Sequence, residues 1–389
     1  MAQAKANIAQ EIARVDSASN VPRWTRHEAI AQGRMQALND LVERYRERVG
    51  ALVGPSSEAR RLPIAYTALH GVGDGLVRTI LGAAGFSGLK SLASQAEPDS
   101  RFPTVDSPNP EEPAAMMQVL ALAKRFDAEL VLATDPDASR LAVGAASGEG
   151  YEVLSGNDVA CLLADDLLEK TESQSKRLVV SLIVGSPLLG KIAESHGARW
   201  EQTLVGHSWI NHRAVEIEAE GYQYIIGYDS ALGYGATTFV RDKDGISAAL
   251  LVAELAARCK ARGSTLLDQR EAMWRRYGLY VSRQISEAFE GDDANEKMAA
   301  VMSRYRDDVP WQIADLEVNA CLDAKKGVRI SKDKSEAPLA LPETDLLVFE
   351  LEGGHRVMLL PSETEPKLAY HIDVCIEIAA EEELEAARR

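Results

Sequence analysis

Three stretches of the sequence follow one order: an apolar strand, a turn rich in glycine or polar residues, and an amphipathic helix. Residues 61–86 read as one strand and helix closed by glycine. Residues 129–170 begin as two strands joined by a polar loop, and Ser155 or Asn157 caps the helix that follows. Residues 176–206 repeat the order of strand, turn, helix and strand. This repetition predicts α/β domains.

The two ends of the chain have different patterns. The first residues are rich in Ala, Arg, Glu and Leu at helical spacing, which predicts a helical segment. Residues 278–293 have the polar and glycine content of a hinge, and the helix and alternating strands after them predict an α+β domain. The predicted domains are 1–55, 56–174, 175–288 and 289–389.

The charge, the apolar runs and the cysteine spacing of the sequence indicate which kinds of partner and which cellular compartment to expect. With 43 basic and 59 acidic residues the formal net charge is -16, which would repel a nucleic-acid backbone. No stretch of about eighteen apolar residues is present, so we expect no membrane partner and a cytoplasmic protein. The four cysteines are far apart without CxxC spacing, as reduced core thiols are. They are Cys161, Cys259, Cys321 and Cys375.

Seven blocks in order resemble the α-D-phosphohexomutase superfamily, particularly bacterial phosphoglucomutases and phosphomannomutases. The blocks are TALHGVG, FPTVDSPNPEEP, LATDPDASRLAV, VGSPLLGKIAESHGA, GYDSALGY, VRDKDGISAALL and LLPSETEPKL. The resemblance implies two phosphoglucomutase-type α/β/α domains with mixed sheets and a C-terminal α+β domain, preceded by N-terminal helices. The family's first domain carries a phosphoserine loop, T-A-S-H-N-P, which does not occur in this sequence. We therefore expect residues 1–55 to be a remnant of that domain, without its catalytic serine.

The block DPDASR resembles the family's metal loop, D-x-D-x-D-R. Asp135, Asp137 and Arg140 match it, whereas Ser139 replaces the third carboxylate. Loss of an anionic ligand leaves two formal charges for Mg²⁺, so we expect no metal or weak binding at Asp135 and Asp137. No cofactor is expected unless family activity persists, in which case it would be Mg²⁺. The alternative is that both aspartates cap a turn between two strands.

The block GYDSALGY resembles the sugar-recognition loop, G-Y-E-E-A-L-G-Y. Its centre here is Asp229, Ser230 and Ala231, and Ser230 lacks the two-oxygen acceptor that grips vicinal hydroxyls. In LVGHSWI, Ser208 stands where relatives have a lysine directed at the substrate, and His207 is new. We therefore expect sugar affinity to fall while the turn keeps its backbone pattern.

The block LLPSETEPKL resembles the phosphate loop, R-P-S-G-T-E-P-K. Leu360 replaces the arginine and Glu363 replaces the glycine, so one cation is lost and a like charge is added. Ser362, Thr364 and Lys367 match the family pattern. We expect a turn retained for folding, with a reduced role in binding phosphate.

Three further residues match the family and are candidates for the cleft: His70, Arg241 and Lys243. Because the nucleophile is absent and four binding elements are altered, the sequence favours a catalytically inactive scaffold, regulatory or interaction protein. Two alternatives stay open. One is a phosphohexomutase with altered chemistry, or with its serine domain supplied by another chain. The other is a sensor of sugar phosphates or anions, so a small-molecule ligand is not excluded.

The inactive hypothesis carries an expectation about partners. A missing first domain would uncover an apolar face of the second, and such faces bind partners. We expect either that the helices of residues 8–53 cover part of this face, or that a protein partner or self-association does.

Overall fold

The structure is a computed structural model that describes residues 2–15, 17–55, 57–148, 150–172, 175–362, 365–378 and 384. It divides into two compact units, Met1–Leu52 and Val53–Arg389. The first unit contains helices α1 (Ala2–Ala13), α2 (Arg26–Ala31) and α3 (Leu41–Gly50), which confirms the predicted helical segment. Thr25 and Glu28 form a capping box that starts α2, in which each side chain accepts a backbone N–H of the other residue.

The first sheet of the second unit has five strands. Its elements are β1 (Ile64–Thr67), α4 (Asp74–Ala83), β2 (Leu89–Ser91), α5 (Pro113–Arg125), β3 (Leu130–Thr134), β4 (Leu141–Ser147) and β5 (Gly150–Val153). The strand order is β2-β1-β3-β4-β5, in which β1 is parallel to β2 and β3, while β4 and β5 are antiparallel. All residues of β1 and β3 are buried, as expected for central strands covered on both faces.

The second sheet has four strands and more helices around it. Its elements are α6 (Gly156–Lys170), β6 (Arg177–Leu182), α7 (Leu188–Ser195), β7 (Arg199–Thr203), α8 (His207–Glu218), β8 (Gln223–Asp229), β9 (Gly233–Gly235), α9 (Gly245–Ala261) and α10 (Leu266–Tyr277). The order β7-β6-β8-β9 has parallel pairs except for β8 and β9. Of the two predicted caps for α6, Ser155 is the one that accepts a helix N–H, from Asp158.

The C-terminal sheet has eight strands. Its elements are β10 (Leu279–Ala288), α11 (Ala294–Asp307), β11 (Gln312–Ile313), β12 (Leu316–Asp323), β13 (Val328–Ser331), β14 (Glu336–Pro338), β15 (Leu347–Leu351), β16 (Arg356–Pro361) and β17 (Lys367–Ile376). The order is β10-β17-β16-β15-β12-β13-β14, and β11 pairs with β12. Helix α11 covers one face, where Met302 packs with Phe349 and Leu359. This sheet confirms the predicted α+β domain.

The hinge predicted at residues 278–293 is wrong for most of its length. Residues Leu279–Ala288 form the ten-residue strand β10, which pairs along its whole length with β17. The prediction failed because eight of these residues are exposed, so the strand shows too little apolar alternation to be recognised. The three predicted domain boundaries stay a prediction, although β10 pairs into the C-terminal sheet.

The second sheet and the C-terminal sheet share one apolar core. Leu182 and Ile210 lie in the same buried cluster as Val348 and Met358 of the C-terminal sheet.

The four cysteines are free thiols, which confirms the prediction that they are reduced. Cys161, Cys259 and Cys321 are buried, and Cys375 is half-buried. Within the described ranges, no helix is both long and apolar enough to cross a membrane.

Candidate active site

The predicted metal loop follows β3 and is closed by its own side chains. Asp135 is 3% exposed and accepts hydrogen bonds at 2.8 Å from both the backbone N–H and Nε of Arg140. Ser139 Oγ lies 3.5 Å from the same carboxylate. The charge of Asp135 is therefore already balanced by Arg140, whose Nη1 also lies 3.5 Å from Glu111 Oε2.

The second carboxylate of the loop is more open. Asp137 is exposed, and its Oδ1 accepts the backbone N–H of Ser139 at 3.0 Å. Partial burial alone would raise the pKa of Asp137, but hydrogen bonds from Ser139 and the charge of Lys243 outweigh it and hold the pKa below its usual value. Asp137 is therefore an ionised oxygen donor at neutral pH.

The donor set of this loop suits a hard cation. Asp135, Asp137 and Ser139 offer two carboxylates and a hydroxyl, although the described residues contain no cluster of three His, Cys, Asp or Glu side chains arranged for a metal. Mg²⁺ is commonly held by one or two carboxylates while it keeps water and substrate phosphate as further ligands. The residues therefore fit Mg²⁺ of that kind, and strength of binding stays a prediction.

Two neighbouring segments hold the metal loop in place. Val72 N–H donates to Pro136 O at 2.9 Å, and Gly245 N–H, at the start of α9, donates to Ala138 O at 3.0 Å. A Cβ on Gly71 would stand 2.3 Å from Pro136 Cα, so only glycine permits this approach. The loop is thus fixed by backbone contacts.

His70, a predicted cleft residue, lies beneath this region. It is buried, and its Nε2 is 2.8 Å from Thr104 Oγ1. Its backbone N–H donates to Gln95 O, which ties the turn after β1 to the short 3-10 helix Ala93–Gln95. His70 therefore supports the loops, and its ring does not line the cleft described below.

The predicted sugar loop connects β8 to β9 and is bound to the metal loop. Ala231 N–H donates to Asp229 Oδ1 at 3.0 Å, which closes the turn. Leu141 N–H donates to Leu232 O at 3.0 Å, and Arg140 forms a β-bridge with Gly233. These bonds place the two loops side by side.

The start of α6 also contacts the sugar loop. A Cβ on Gly156 would lie 2.2 Å from Ser230 O, so any larger residue would displace the loop. Asn157 next to it accepts from the hydroxyl of Tyr228 at 3.0 Å, just before the loop. The start of α6 therefore contacts both the carbonyl of Ser230 and the end of the strand that precedes the loop.

The predicted phosphate loop connects β16 to β17. Ser362 N–H donates to Lys367 O at 2.8 Å, and Glu365 N–H donates to Ser362 Oγ at 3.3 Å. Glu363 and Thr364 lie outside the described residues. The described part of the loop offers one hydroxyl and one cation, and Leu360 lines the wall beside them.

The sugar and phosphate loops meet in one cleft with two chambers. The smaller chamber, of about 360 Å³, is lined by Asp229, Ser230, Ser362 and Lys367. The larger chamber, of about 580 Å³, extends toward α5 and the start of α6. Both chambers share the residues Val184, Ser230, Ala231, Gln284 and His371.

Sequence reasoning missed the floor of this cleft. Gln284 on β10 pairs in register with His371 on β17, and Ser286 lies two residues farther along β10. Burial lowers the pKa of His371, with the charge of Asp373 opposing that effect. The missed signal is the run of polar residues at alternate positions of β10, in the segment predicted to be a hinge.

The remaining candidates lie away from the two chambers. His207 begins α8 and is 6% exposed, and neither ring nitrogen has a hydrogen-bond partner among the described residues. Burial lowers its pKa to about 4 despite the nearby carboxylates of Asp242 and Asp229. Ser208 is exposed, and Arg241 Nη1 is paired with Glu218 Oε2 at 2.7 Å.

Lys243, the last candidate, lies between the metal and sugar loops. A Cβ on Gly233 would stand 2.9 Å from Lys243 Cδ, so the aliphatic part of the lysine packs on the end of the sugar loop. Its charge acts on Asp137. Lys243 therefore contributes positive charge beside the metal loop.

Comparison with known proteins decides the family. Residues 43–148 match the model of phosphoglucomutase/phosphomannomutase α/β/α domain II, and residues 155–277 match that of domain III. The chain belongs to the phosphoglucomutase/phosphomannomutase family. A solved structure of a family protein from Burkholderia thailandensis shares the fold, with a TM-score of 0.62 and 18% identity over 93% of this chain and 67% of that one. The predicted superfamily and fold class are confirmed.

Curated relatives of the family match most of this chain. A probable phosphomannomutase of Haemophilus influenzae is 36% identical over 86% of this chain and 64% of its own length. A phosphoglucomutase of Staphylococcus epidermidis is 32% identical over 86% and 61%, and a human phosphopentomutase is 31% identical over 81% and 53%. The chain thus spans roughly half to two thirds of the length of these relatives.

The prediction of a catalytically inactive protein is wrong. Relatives with 31 to 36% identity over most of the chain carry the names of enzymes, and no finding shows inactivity. The prediction treated each replaced side chain as a lost site. The sugar and phosphate loops both line the cleft and keep polar groups there, such as the Ser230 hydroxyl and the Lys367 ammonium.

Proposed function

We propose that this chain provides the metal, sugar and phosphate loops of a phosphohexomutase, an intramolecular phosphotransferase acting on sugar phosphates. The observation that carries the proposal is the convergence of Ser230 and Ala231 with Ser362 and Lys367 in one chamber of about 360 Å³. The bridge from Arg140 to Gly233 adds the metal loop to the same group. The names of the relatives support this reaction class.

Each loop has a separate task in this proposal. The ammonium of Lys367 and the hydroxyl of Ser362 hold the phosphate of the substrate, in a charge-assisted contact. Ser230 contacts a sugar hydroxyl, with fewer acceptor oxygens than a glutamate would offer. Asp135 and Asp137 would hold Mg²⁺, which supplies positive charge to the phosphoryl group as it moves. Lys243 adds positive charge beside them.

The phosphoryl group needs a carrier that the motifs of residues 1–389 do not supply. The family's T-A-S-H-N-P loop does not occur in this sequence, so the proposal requires that other residues supply the serine. In the reaction, the phosphoserine gives its phosphoryl group to one sugar hydroxyl, and the serine then takes back the phosphoryl group from the other position.

The test is a coupled mutase assay on this chain fused behind the serine-bearing first domain of the staphylococcal relative. We expect Mg²⁺-dependent conversion of glucose 1-phosphate or mannose 1-phosphate in the presence of the bisphosphate activator. Lys367→Ala should lower kcat/KM about 10- to 100-fold, because it removes one charged hydrogen bond to the phosphate. Lys325→Ala, at an exposed lysine that salt-bridges Asp345, is the matched control and should retain activity.

The same fusion with its donated serine changed to alanine sets the background rate. A folded fusion that turns over no faster than this background would refute the proposal. Equal activity of the Lys367→Ala and Lys325→Ala fusions would refute the assignment of the phosphate loop.

A further inference from the structure

Strand β10 forms an outer edge of the C-terminal sheet. It pairs with β17 on one side, and no strand of the described ranges pairs with its other side. Residues 281–288 are all exposed, and the β-branched side chains of Val281 and Ile285 are 47% and 50% exposed. The backbone donors and acceptors of this edge form a template to which a further strand can be added.

Two other edges of these sheets are protected in the usual ways. Strand β14, at the opposite edge of the same sheet, has three residues and ends in Pro338. Strand β2, at an edge of the first sheet, has three residues with Lys90 at its centre. Short strands, proline and lysine all discourage pairing. Strand β10 has ten residues, a continuous register with β17, and neither proline nor lysine.

The charged residues of β10 are complementary to those of a second, antiparallel copy of β10. An antiparallel copy of β10 centred on Ile285 places Arg283 opposite Glu287 twice, once on each side of the twofold axis. Moving the centre by two residues places Arg283 opposite Arg283, or Glu287 opposite Glu287. Moving it by one residue places Arg283 opposite Ile285. The hydroxyl of Tyr370 donates to Glu287 Oε2 at 2.9 Å, which holds this carboxylate on the same face.

We propose that a second copy of this chain pairs with β10 about a twofold axis through Ile285, which joins the two C-terminal sheets into one. Two Arg283–Glu287 pairs and the contact of Ile285 with its counterpart determine the register. Such an isologous interface is self-complementary, as the commonest protein dimers are.

The pairing also brings each copy to the cleft of the other. In the register centred on Ile285, Gln284 of each copy lies opposite Ser286 of the second copy. Gln284 and Ser286 line the smaller chamber, so the row of polar side chains on its floor continues into the second copy. The dimer therefore contributes amide and hydroxyl groups to the rim of both clefts.

The test is sedimentation equilibrium of the full chain over a range of concentrations, with charge-reversal variants. We expect a reversible dimer whose dissociation constant rises about tenfold or more in Arg283→Glu and in Glu287→Arg, because each puts like charges opposite one another. The double variant R283E/E287R restores opposite charges and should dimerise like the wild type. Arg304→Glu, at an exposed position of α11, is the matched control.

Circular dichroism of each variant establishes that it is folded. A chain that stays monomeric at its highest soluble concentration would overturn the proposal. A dimer indifferent to both single reversals would overturn it too, because it would locate the interface elsewhere. Recovery of the dimer in R283E/E287R is the result that the register requires.

Discussion

At the scale of single residues, His207 is a buried base whose ring nitrogens have no hydrogen-bond partner in the described part of the chain. Its pKa in the folded chain is lowered to about 4 by burial, whereas in the unfolded chain it is near 6.5. Between these values the unfolded chain binds the extra proton, so acidification lowers the free energy of unfolding. The full effect at low pH is about 3 kcal/mol. We expect His207→Phe to lose less stability than the wild type between pH 6.5 and pH 4, measured by urea denaturation.

The control for this prediction lies on the same helix. His212 is exposed, and His212→Gln should follow the wild-type curve over the same pH range, apart from the small contribution of its pair with Glu216. His371 and the carboxylates are common to all three proteins, so they cancel in the comparison. If the free energies of unfolding of His207→Phe and the wild type fell in parallel with pH, the ring of His207 would take up a proton as readily in the folded chain as in the unfolded chain. That outcome would contradict the prediction.

At the scale of elements, the site depends on loops that touch through their backbones. Gly71 follows β1, and a Cβ there would lie 2.3 Å from Pro136 Cα and 2.4 Å from Pro136 O. Because neither backbone can yield cheaply, Gly71→Ala should separate this turn from the metal loop and break the hydrogen bond of Val72. We expect a loss of about 2 to 3 kcal/mol in the free energy of unfolding, measured with denaturant.

A second glycine in the same segment serves as the matched control. Gly75 lies in the first turn of α4, and there is open space at the position where a Cβ would be added. Gly75→Ala should therefore leave stability unchanged or raise it by up to about 1 kcal/mol, through the better helix propensity of alanine. If both substitutions had the same effect, the contact between the turn and the metal loop would not be tight.

The elements also explain which parts of the site could be predicted from sequence. Each loop is a run of adjacent residues, so Asp135 to Arg140 and Asp229 to Ala231 were recognisable in one sequence. Gln284 and His371 come together only because β10 pairs with β17, and no local pattern encodes that partnership. The roles of the replaced side chains stay a prediction, since a motif records the missing group and not the donor that remains.

At the scale of the whole second unit, one buried ion pair joins the C-terminal sheet to the second sheet. Arg356 on β16 donates from Nε to Asp373 at 3.0 Å and from Nη2 to Gly185 O at 2.8 Å, in the loop after β6. Ser282 donates to the other oxygen of Asp373. Asp373 also lines the larger chamber of the cleft, and Gly185 directly follows Val184 of the shared apolar core.

Removing this arginine should loosen the junction. Arg356→Met leaves the carboxylate of Asp373 buried without its cation, and such losses cost about 3 to 5 kcal/mol. Arg329→Met, which breaks the partly exposed pair with Glu350 in the same sheet, should cost about 1 kcal/mol or less. Adding Asp373→Asn to Arg356→Met should recover part of the loss, because the unpaired charge is then gone. Denaturant unfolding of the wild type, the two single variants and the double variant measures these changes in the free energy of unfolding. Equal losses in Arg356→Met and Arg329→Met would show that the junction depends on the apolar core alone.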